Sequence, residues 1–463
     1  MSDEKRIVII GCGAGGGTAA QFARKTDRKA KITVIEKGPY TQYSKCGLPY
    51  TISGRIPEFL GLIEYSVEWF EKMKVEVLLE TEVLDIDMGG HVVKASGADG
   101  QLSREFDELI IATGAEPFLP PIKGIKDKSE GLVEGCFVVR TIDDAKAISA
   151  RVKKGEKAVV VGAGLIGLEV GEALVERGMD VTVVEALPQI LGGTLDSEMG
   201  GLVQSHLEDH KMTIMTNCLV SEARVGSNGV SGVLVKKGEE SFDLDCSLLI
   251  VATGVRQTTS LAEKIGCEIG NKHGIVVDAG SRTSVDHVYA VGDCTQYKDF
   301  VTGDDIPIGL GSIVVRQAIA AGTNAAGGSY EIPAGVLLTR TSEFFGLQIG
   351  GVGPCGERFG DIETVSGKFA GSSLPEYVPD GKSIVVKVQA DALSGDIVGA
   401  QTVGSSAAQR ANVFAAAILG GLSVEEFRRL ETAYAPAVAP TLDALTLATD
   451  MVAMKLARKK RKK

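Results

Sequence analysis

No stretch of the sequence supplies the roughly eighteen consecutive apolar residues that span a bilayer. The N-terminus, Met1-Ser2-Asp3-Glu4-Lys5, runs into a strand pattern instead of the apolar core of a signal peptide. A cytoplasmic protein with no membrane span is therefore expected. Basic charge is also scarce. Against 60 Asp and Glu there are 49 Lys and Arg, a net charge of -11, and such a chain lacks the cationic surface that releases counterions from nucleic acid. The eight cysteines, at 12, 46, 136, 218, 246, 267, 294 and 355, form neither CxxC pairs nor a compact framework. That argues against zinc, iron–sulfur clusters and secretory disulfides, and no metal site is expected. Glycine, by contrast, is plentiful. Its 58 residues gather in ligand-type turns and not in a low-complexity tract, within a chain of 463 residues that is 44% hydrophobic and 24% charged. That length suits roughly two to four domains.

The chain opens on a specific pattern. Arg6-Ile7-Val8-Ile9-Ile10 is a short apolar run without helical period, and it leads into Gly11-Cys12-Gly13-Ala14-Gly15-Gly16, a strand entering GxGxxG. The spacing predicts a helix over 18–25 and a second strand, Lys31-Ile32-Thr33-Val34-Ile35, ending at Glu36 about twenty residues past the last glycine. Gly11, Gly13 and Gly16 would let the backbone approach a pyrophosphate at a helix N-terminus, while Glu36 would accept hydrogen bonds from a ribose. The same unit then recurs. Ala158-Val159-Val160-Val161 enters Gly162-Ala163-Gly164-Leu165-Ile166-Gly167, a helix follows over 169–177, and Val181-Thr182-Val183-Val184 ends at Glu185. Each copy is followed by a strand ending in Ala-Thr-Gly, which makes Thr113 and Gly114, and later Gly254, candidate ligand contacts. Two complete fingerprints in one chain imply two dinucleotides.

The second unit interrupts the first, because Val288-Tyr289-Ala290-Val291-Gly292-Asp293 is another apolar strand, one whose aspartate would meet a polar part of a ligand at the strand's carboxyl end. A helix of small residues is expected over 311–327. From about residue 331 strand patterns such as Ser383-Ile384-Val385-Val386-Lys387-Val388 mix with alanine-rich helices over 407–419 and 424–430. The fold class expected is α/β: two Rossmann-like dinucleotide-binding domains, the second inserted in the first, followed by an α+β domain. The boundaries read as 1–115 with 276–330, then 116–275, then 331–463. Seven of the last nine residues, Lys455 to Lys463, are basic, which suits a solvated helix end whose cations face the C-terminal dipole.

One thiol stands apart. In Tyr43-Ser44-Lys45-Cys46-Gly47-Leu48-Pro49-Tyr50 a cation precedes the cysteine, and a neighbouring positive charge raises the reactive thiolate fraction. Gly47 and Pro49 read as a rigid turn aiming the side chain.

Taken together these motifs resemble the two-dinucleotide flavoprotein disulfide reductase superfamily over essentially the whole chain. The resemblance implies FAD in the first unit, on Gly11, Gly13, Gly16, Glu36 and Asp293, and a nicotinamide dinucleotide on Gly162, Gly164, Gly167 and Glu185, with Glu169 near the nicotinamide. It also implies that the C-terminal domain forms a homodimer. Because Glu185 is not followed by arginine, NADH is favoured over NADPH, whose 2′-phosphate an acid repels. The dithiol branch needs a CxxxxC pair, yet the positions five from Cys46 are Thr41 and Thr51. All five histidines, at 91, 206, 210, 273 and 287, precede the last domain. What remains resembles the single-cysteine branch: coenzyme A-disulfide and persulfide reductases, NADH oxidases and NADH peroxidases. Cys46-Gly47-Leu48-Pro49-Tyr50 is similar to that branch's cysteine motif, Ala433-Tyr434-Ala435-Pro436 to the tyrosine motif of its coenzyme A-disulfide reductases, and Tyr377 to their second tyrosine. Gln42-Tyr43 and Pro436-Ala437 depart from the branch's pattern.

The expected chemistry is reduction of a small-thiol disulfide or persulfide, coenzyme A the foremost candidate, with Cys46, Lys45, Tyr434 and Tyr377 at a site shared between two subunits. No fused sulfurtransferase-like domain is expected. Two rival readings are an NADH oxidase or peroxidase cycling through a cysteine sulfenic acid, and an NADH-oxidising electron-transfer subunit of a larger complex.

Overall fold

The computed structural model describes residues 4–127 and 129–461. The chain forms two compact units, one of Met1–Phe118, Arg140–Ala145 and Val255–Val336, the other of Leu119–Val139, Lys146–Gly254 and Leu337–Lys463. Within the first unit Val255–Gln257 pairs antiparallel with Ala115–Pro117.

In the first unit a five-stranded parallel sheet runs Val288–Ala290, Glu108–Ile111, Arg6–Ile10, Lys31–Ile35, Val75–Leu78. Its central strands read as unbroken apolar runs because both faces are covered. The helix Ala14–Thr26 covers one face, and the small-residue helix Gly311–Ala325 packs directly against it. Ala19, Ala20 and Ala23 meet Ala318, Ala321 and Ala325 in a fully buried seam. At Gly322 a Cβ would collide with the Ala19 carbonyl, so the two backbones approach as closely as glycine permits.

The second unit repeats the plan. Its parallel sheet runs Cys136–Val138, Leu248–Val251, Lys157–Val161, Asp180–Val184, Thr213–Met215. The helix Leu165–Glu176 follows the glycine turn. A three-stranded antiparallel sheet precedes the Ala-Thr-Gly strand in both units. The C-terminal part adds a five-stranded antiparallel sheet, Arg340–Phe344, Leu347–Val352, Ile397–Gly404, Ser383–Asp391, Thr364–Ser372, with the helices Ala407–Leu419 and Ala444–Lys460 against it. The fold is thus two Rossmann-like α/β regions followed by an α+β region. The expected helix over 424–430 shortens to Val424–Phe427, capped by Ser423 and Glu426. Of the basic run, Lys459 pairs with Glu363 and Lys455 donates to the Ser366 carbonyl. Lys462 and Lys463 lie outside the described residues. No helix among the described residues is long and apolar enough to cross a membrane.

Candidate active site

The two glycine turns have the same construction. Gly11 and Gly162 adopt φ of +101° and +103°, and a Cβ on either would collide with the carbonyl of Ala112 or Ala252. Gly16 and Gly167 sit so close to the carbonyls of Gly11 and Gly162 that no side chain fits. Gly13 and Gly164 behave differently. Their Cβ positions meet nothing within 4 Å, so the backbone there faces open space in which a ligand can approach. The acids match as well. Glu36 accepts from the backbone N–H of Cys12 at 2.6 Å and of Gly38 at 2.7 Å. Glu185 accepts from Ala163 at 2.7 Å and Leu187 at 2.8 Å. Each carboxylate therefore ties the tip of its strand to its own glycine turn.

At the carboxyl end of the first sheet, Gly292 turns with φ +83° and presents Asp293, whose carboxylate pairs with Arg140 at 3.1 Å. The fully buried Gln317 accepts from Gly292 N–H at 2.9 Å and donates to the Thr295 hydroxyl at 3.1 Å, fixing that turn. Thr113 donates to the Thr258 carbonyl at 2.6 Å, and Gly114, at φ +70°, accepts from Thr258 N–H at 3.0 Å. These two therefore brace the turn. Gly254 turns at φ +106°. Arg140 and Gln317 escaped the sequence reading. Nothing local links either to a residue so distant in the chain, and only the Gly-Asp turn hints that a partner is needed.

Cys46 lies in a 3-10 turn, Lys45–Gly47, that runs into the helix Leu48–Ser53, with Pro49 in the first turn where its missing N–H costs nothing. Ser44 N–H donates to the Leu62 carbonyl at 2.9 Å and Thr41 to the Tyr65 carbonyl at 2.6 Å, pinning the approach. Among the eight cysteines Cys46 is exposed and the other seven are buried. Burial pushes the thiols of Cys12, Cys136 and Cys246 up to about 12 and raises those of Cys267, Cys294 and Cys355. They are inert by that measure. Lys45 is open to solvent, yet many protein atoms surround its ammonium. That surrounding and the Arg140 guanidinium bring its ammonium down to about 8, against the opposing pull of Asp293, Glu36 and Asp144. Gln42, one of the departures from the family pattern, is turned inward. It is 3% exposed, meets Gln21 and Glu64, and lies over Gly17, where a Cβ would run into its amide.

In the second unit Tyr377 and Tyr434 come together, hydroxyl to hydroxyl, at 3.4 Å. Their shared hydrogen bond holds Tyr377 above the usual phenol range and Tyr434 below it. Both are exposed. Tyr43 is pushed up to about 12, by burial first and then by Glu36, and is a poor acid. On the helix after the second glycine turn, Glu169 accepts from the Ser342 hydroxyl at 2.6 Å.

Residues 5–324 match the pyridine nucleotide-disulphide oxidoreductase family and residues 342–445 its dimerisation domain, so the chain belongs to that family. Among its relatives is an NADH oxidase of Methanocaldococcus jannaschii, 38% identical over 461 residues, which are 98% of this chain and 100% of the relative. A CoA-dependent NAD(P)H sulfur oxidoreductase of Pyrococcus furiosus is 32% identical over 96% of this chain and 98% of its own length. The solved NAD-dependent persulfide reductase from A. fulgidus superposes with a TM-score of 0.92 at 32% identity, over 98% of this chain and 84% of that one.

Proposed function

We propose that this chain is an FAD-dependent NADH oxidoreductase that reduces the sulfur–sulfur bond of a small-thiol disulfide or persulfide, coenzyme A the preferred thiol, through Cys46. The observation that carries this reading is the solitary exposure of Cys46 in the unit that holds the first fingerprint.

The first glycine turn fits FAD, since Gly13 leaves room for a pyrophosphate, Glu36 stands at the strand tip for a ribose, and Asp293, Arg140 and Lys45 supply polar groups at the sheet's carboxyl end. The second fits NADH through Gly164 and Glu185. FAD, when bound, supplies the two-electron relay between reduced nicotinamide and sulfur. Cys46 thiolate attacks one sulfur of the substrate, forming a mixed disulfide and expelling the other half as a thiolate, which takes a proton. The balance is NADH, one proton and one disulfide to NAD⁺ and two thiols. With no histidine after residue 287, the Tyr377–Tyr434 pair is assigned the proton donation, in a homodimer that shares the site. Eight cysteines without a disulfide suit a reducing, cytoplasmic setting.

An NADH oxidase is the second reading, favoured by the name of the 38% identical relative. Here the oxidised state of Cys46 is a sulfenic acid. Purified protein, assayed anaerobically with NADH and coenzyme A disulfide or polysulfide, separates the two. Turnover that vanishes in Cys46→Ser supports reduction of sulfur. Absence of bound FAD, or full turnover in Cys46→Ser, overturns the proposal.

A further inference from the structure

We propose that Ser342, on the C-terminal β-hairpin, is a positioning residue for Glu169 at the pyridine-nucleotide site. The inference rests on the reading that the second fingerprint holds NADH.

Glu169 and Glu172 lie three apart on the helix Leu165–Glu176 and so share one face. That face is met by a hairpin built from Arg340–Phe344 and Leu347–Val352, whose two-residue turn, Phe345-Gly346, has φ of +47° and +81°. Two positive φ values in succession give the turn whose twist matches that of paired strands. The hairpin meets both carboxylates. Ser342 donates to Glu169 at 2.6 Å and Phe345 N–H donates to Glu172 at 2.9 Å.

A second helix holds the same turn. His206 Nε2 lies 3.0 Å from the Phe344 carbonyl, and the His210 ring stacks on Phe345 with centroids 4.5 Å apart and an interplanar angle of 7°. Phe344, which shares Ser342's side of the strand, is fully buried. The Ser342 hydroxyl is thus presented by a rigid element.

A hydroxyl donating to a carboxylate fixes its orientation and favours its charged form. Burial and the negative charge of Glu172 work the other way and raise Glu169 above the ordinary carboxylate range. The group that faces Glu169 from its own helix is Glu172, and from the hairpin it is the Ser342 hydroxyl; the two histidines engage the turn beyond. Removing the hydroxyl should therefore raise Glu169 further and leave its carboxylate less well aimed.

The test compares the FAD-loaded parent with Ser342→Ala and Ser342→Thr, using NADH binding by calorimetry and the pH profile of flavin reduction in stopped flow. In Ser342→Ala the acid limb should move up by about half to one pH unit and NADH affinity should fall about three- to tenfold, with Ser342→Thr restoring both. Thermal unfolding at the parent's temperature shows that the change is local. An alanine variant with the parent's affinity and profile overturns the role of Ser342 while leaving NADH binding intact. A parent that binds no NADH overturns the site itself. Should Ser342→Ala be unstable, Ser342→Cys, which keeps the size and weakens the donor, must show the same shift at smaller amplitude or the proposal fails.

Discussion

Pyridine-nucleotide choice should rest on Glu185. Its carboxylate is held by the backbone N–H groups of Ala163 and Leu187 at 2.7 and 2.8 Å, so it cannot swing away from an entering 2′-phosphate without abandoning both. Glu185 is half-buried, which keeps the effective dielectric nearer to water than to a protein core. At about 6 Å and an effective dielectric of about 40 to 80, each pair of unit charges repels by roughly 0.7–1.4 kcal/mol. A phosphate of roughly 1.5 to 2 charges therefore costs about 1–3 kcal/mol beside this acid. Converted, NADH should be preferred over NADPH by about 5- to 150-fold in kcat/KM. Glu185→Ala should weaken NADH as well, since the ribose loses an acceptor, so the informative quantity is the ratio of the two efficiencies. It should narrow towards unity, and adding Ala186→Arg should invert it by giving the phosphate a partner. Stopped-flow flavin reduction with each nucleotide measures it. Parity in the parent, or a ratio unmoved in Glu185→Ala, would refute the reasoning.

Other consequences can be checked separately. Lys45, whose ammonium its surroundings bring down to about 8, should be more reactive at about pH 7.5 than ordinary lysines, because a larger share of it is neutral. Limited reductive methylation with peptide mapping should mark it early, FAD should protect it, and labelling no faster than the bulk would contradict its assigned environment. Lys387 pairs with Asp196 at 2.6 Å and Glu198 at 2.7 Å, with only 10% and 13% of the Lys387 and Asp196 side chains exposed. Lys387→Met should then cost about 3 kcal/mol in denaturant unfolding. Lys368 and Lys387 together hold Glu198 at about 2, below its ordinary 4.5. That stabilisation is complete above pH 4.5 and is lost as pH falls towards 2, so the variant should show a shallower acid dependence across that window. Finally, Tyr434→Phe should slow disulfide turnover by about 10²–10⁴-fold while NADH still reduces the flavin at the parent's rate. Mixed dimers of Tyr434→Phe and Cys46→Ser should regain activity, and inactive mixed dimers would mean that the tyrosine does not serve the other subunit's cysteine.

How far each feature could be read in advance depends on whether its cause is local. The glycine turns were legible because each demand falls on one residue type at a fixed spacing: a positive φ at Gly11 and Gly162, and no room for a Cβ at Gly16 and Gly167. The strands were legible because burial on both faces writes an unbroken apolar run, as in Arg6–Ile10. Where a helix starts was less so. The first begins at Ala14, inside the fingerprint, since the glycines that break helices elsewhere are here its first turn. Tyr377 and Tyr434 were each named only through resemblance, and their hydroxyl-to-hydroxyl contact was not foreseen, as composition says nothing about residues that far apart. Arg140 with Asp293, and Ser342 with Glu169, were invisible for a stronger reason. The partners lie 153 residues apart in one case and 173 in the other, and although Asp293 and Glu169 stand out by their motifs, Arg140 and Ser342 are ordinary in their own neighbourhoods. The Arg140 signal is an ordinary Arg-Thr before an acidic helix start. Asp293 is held by a guanidinium, and the turn before it by a buried amide, whereas Glu169, on the helix after the second glycine turn, takes a hydroxyl from the C-terminal hairpin. Chemistry that looks confined to the fingerprints is therefore set in part by residues that no fingerprint contains.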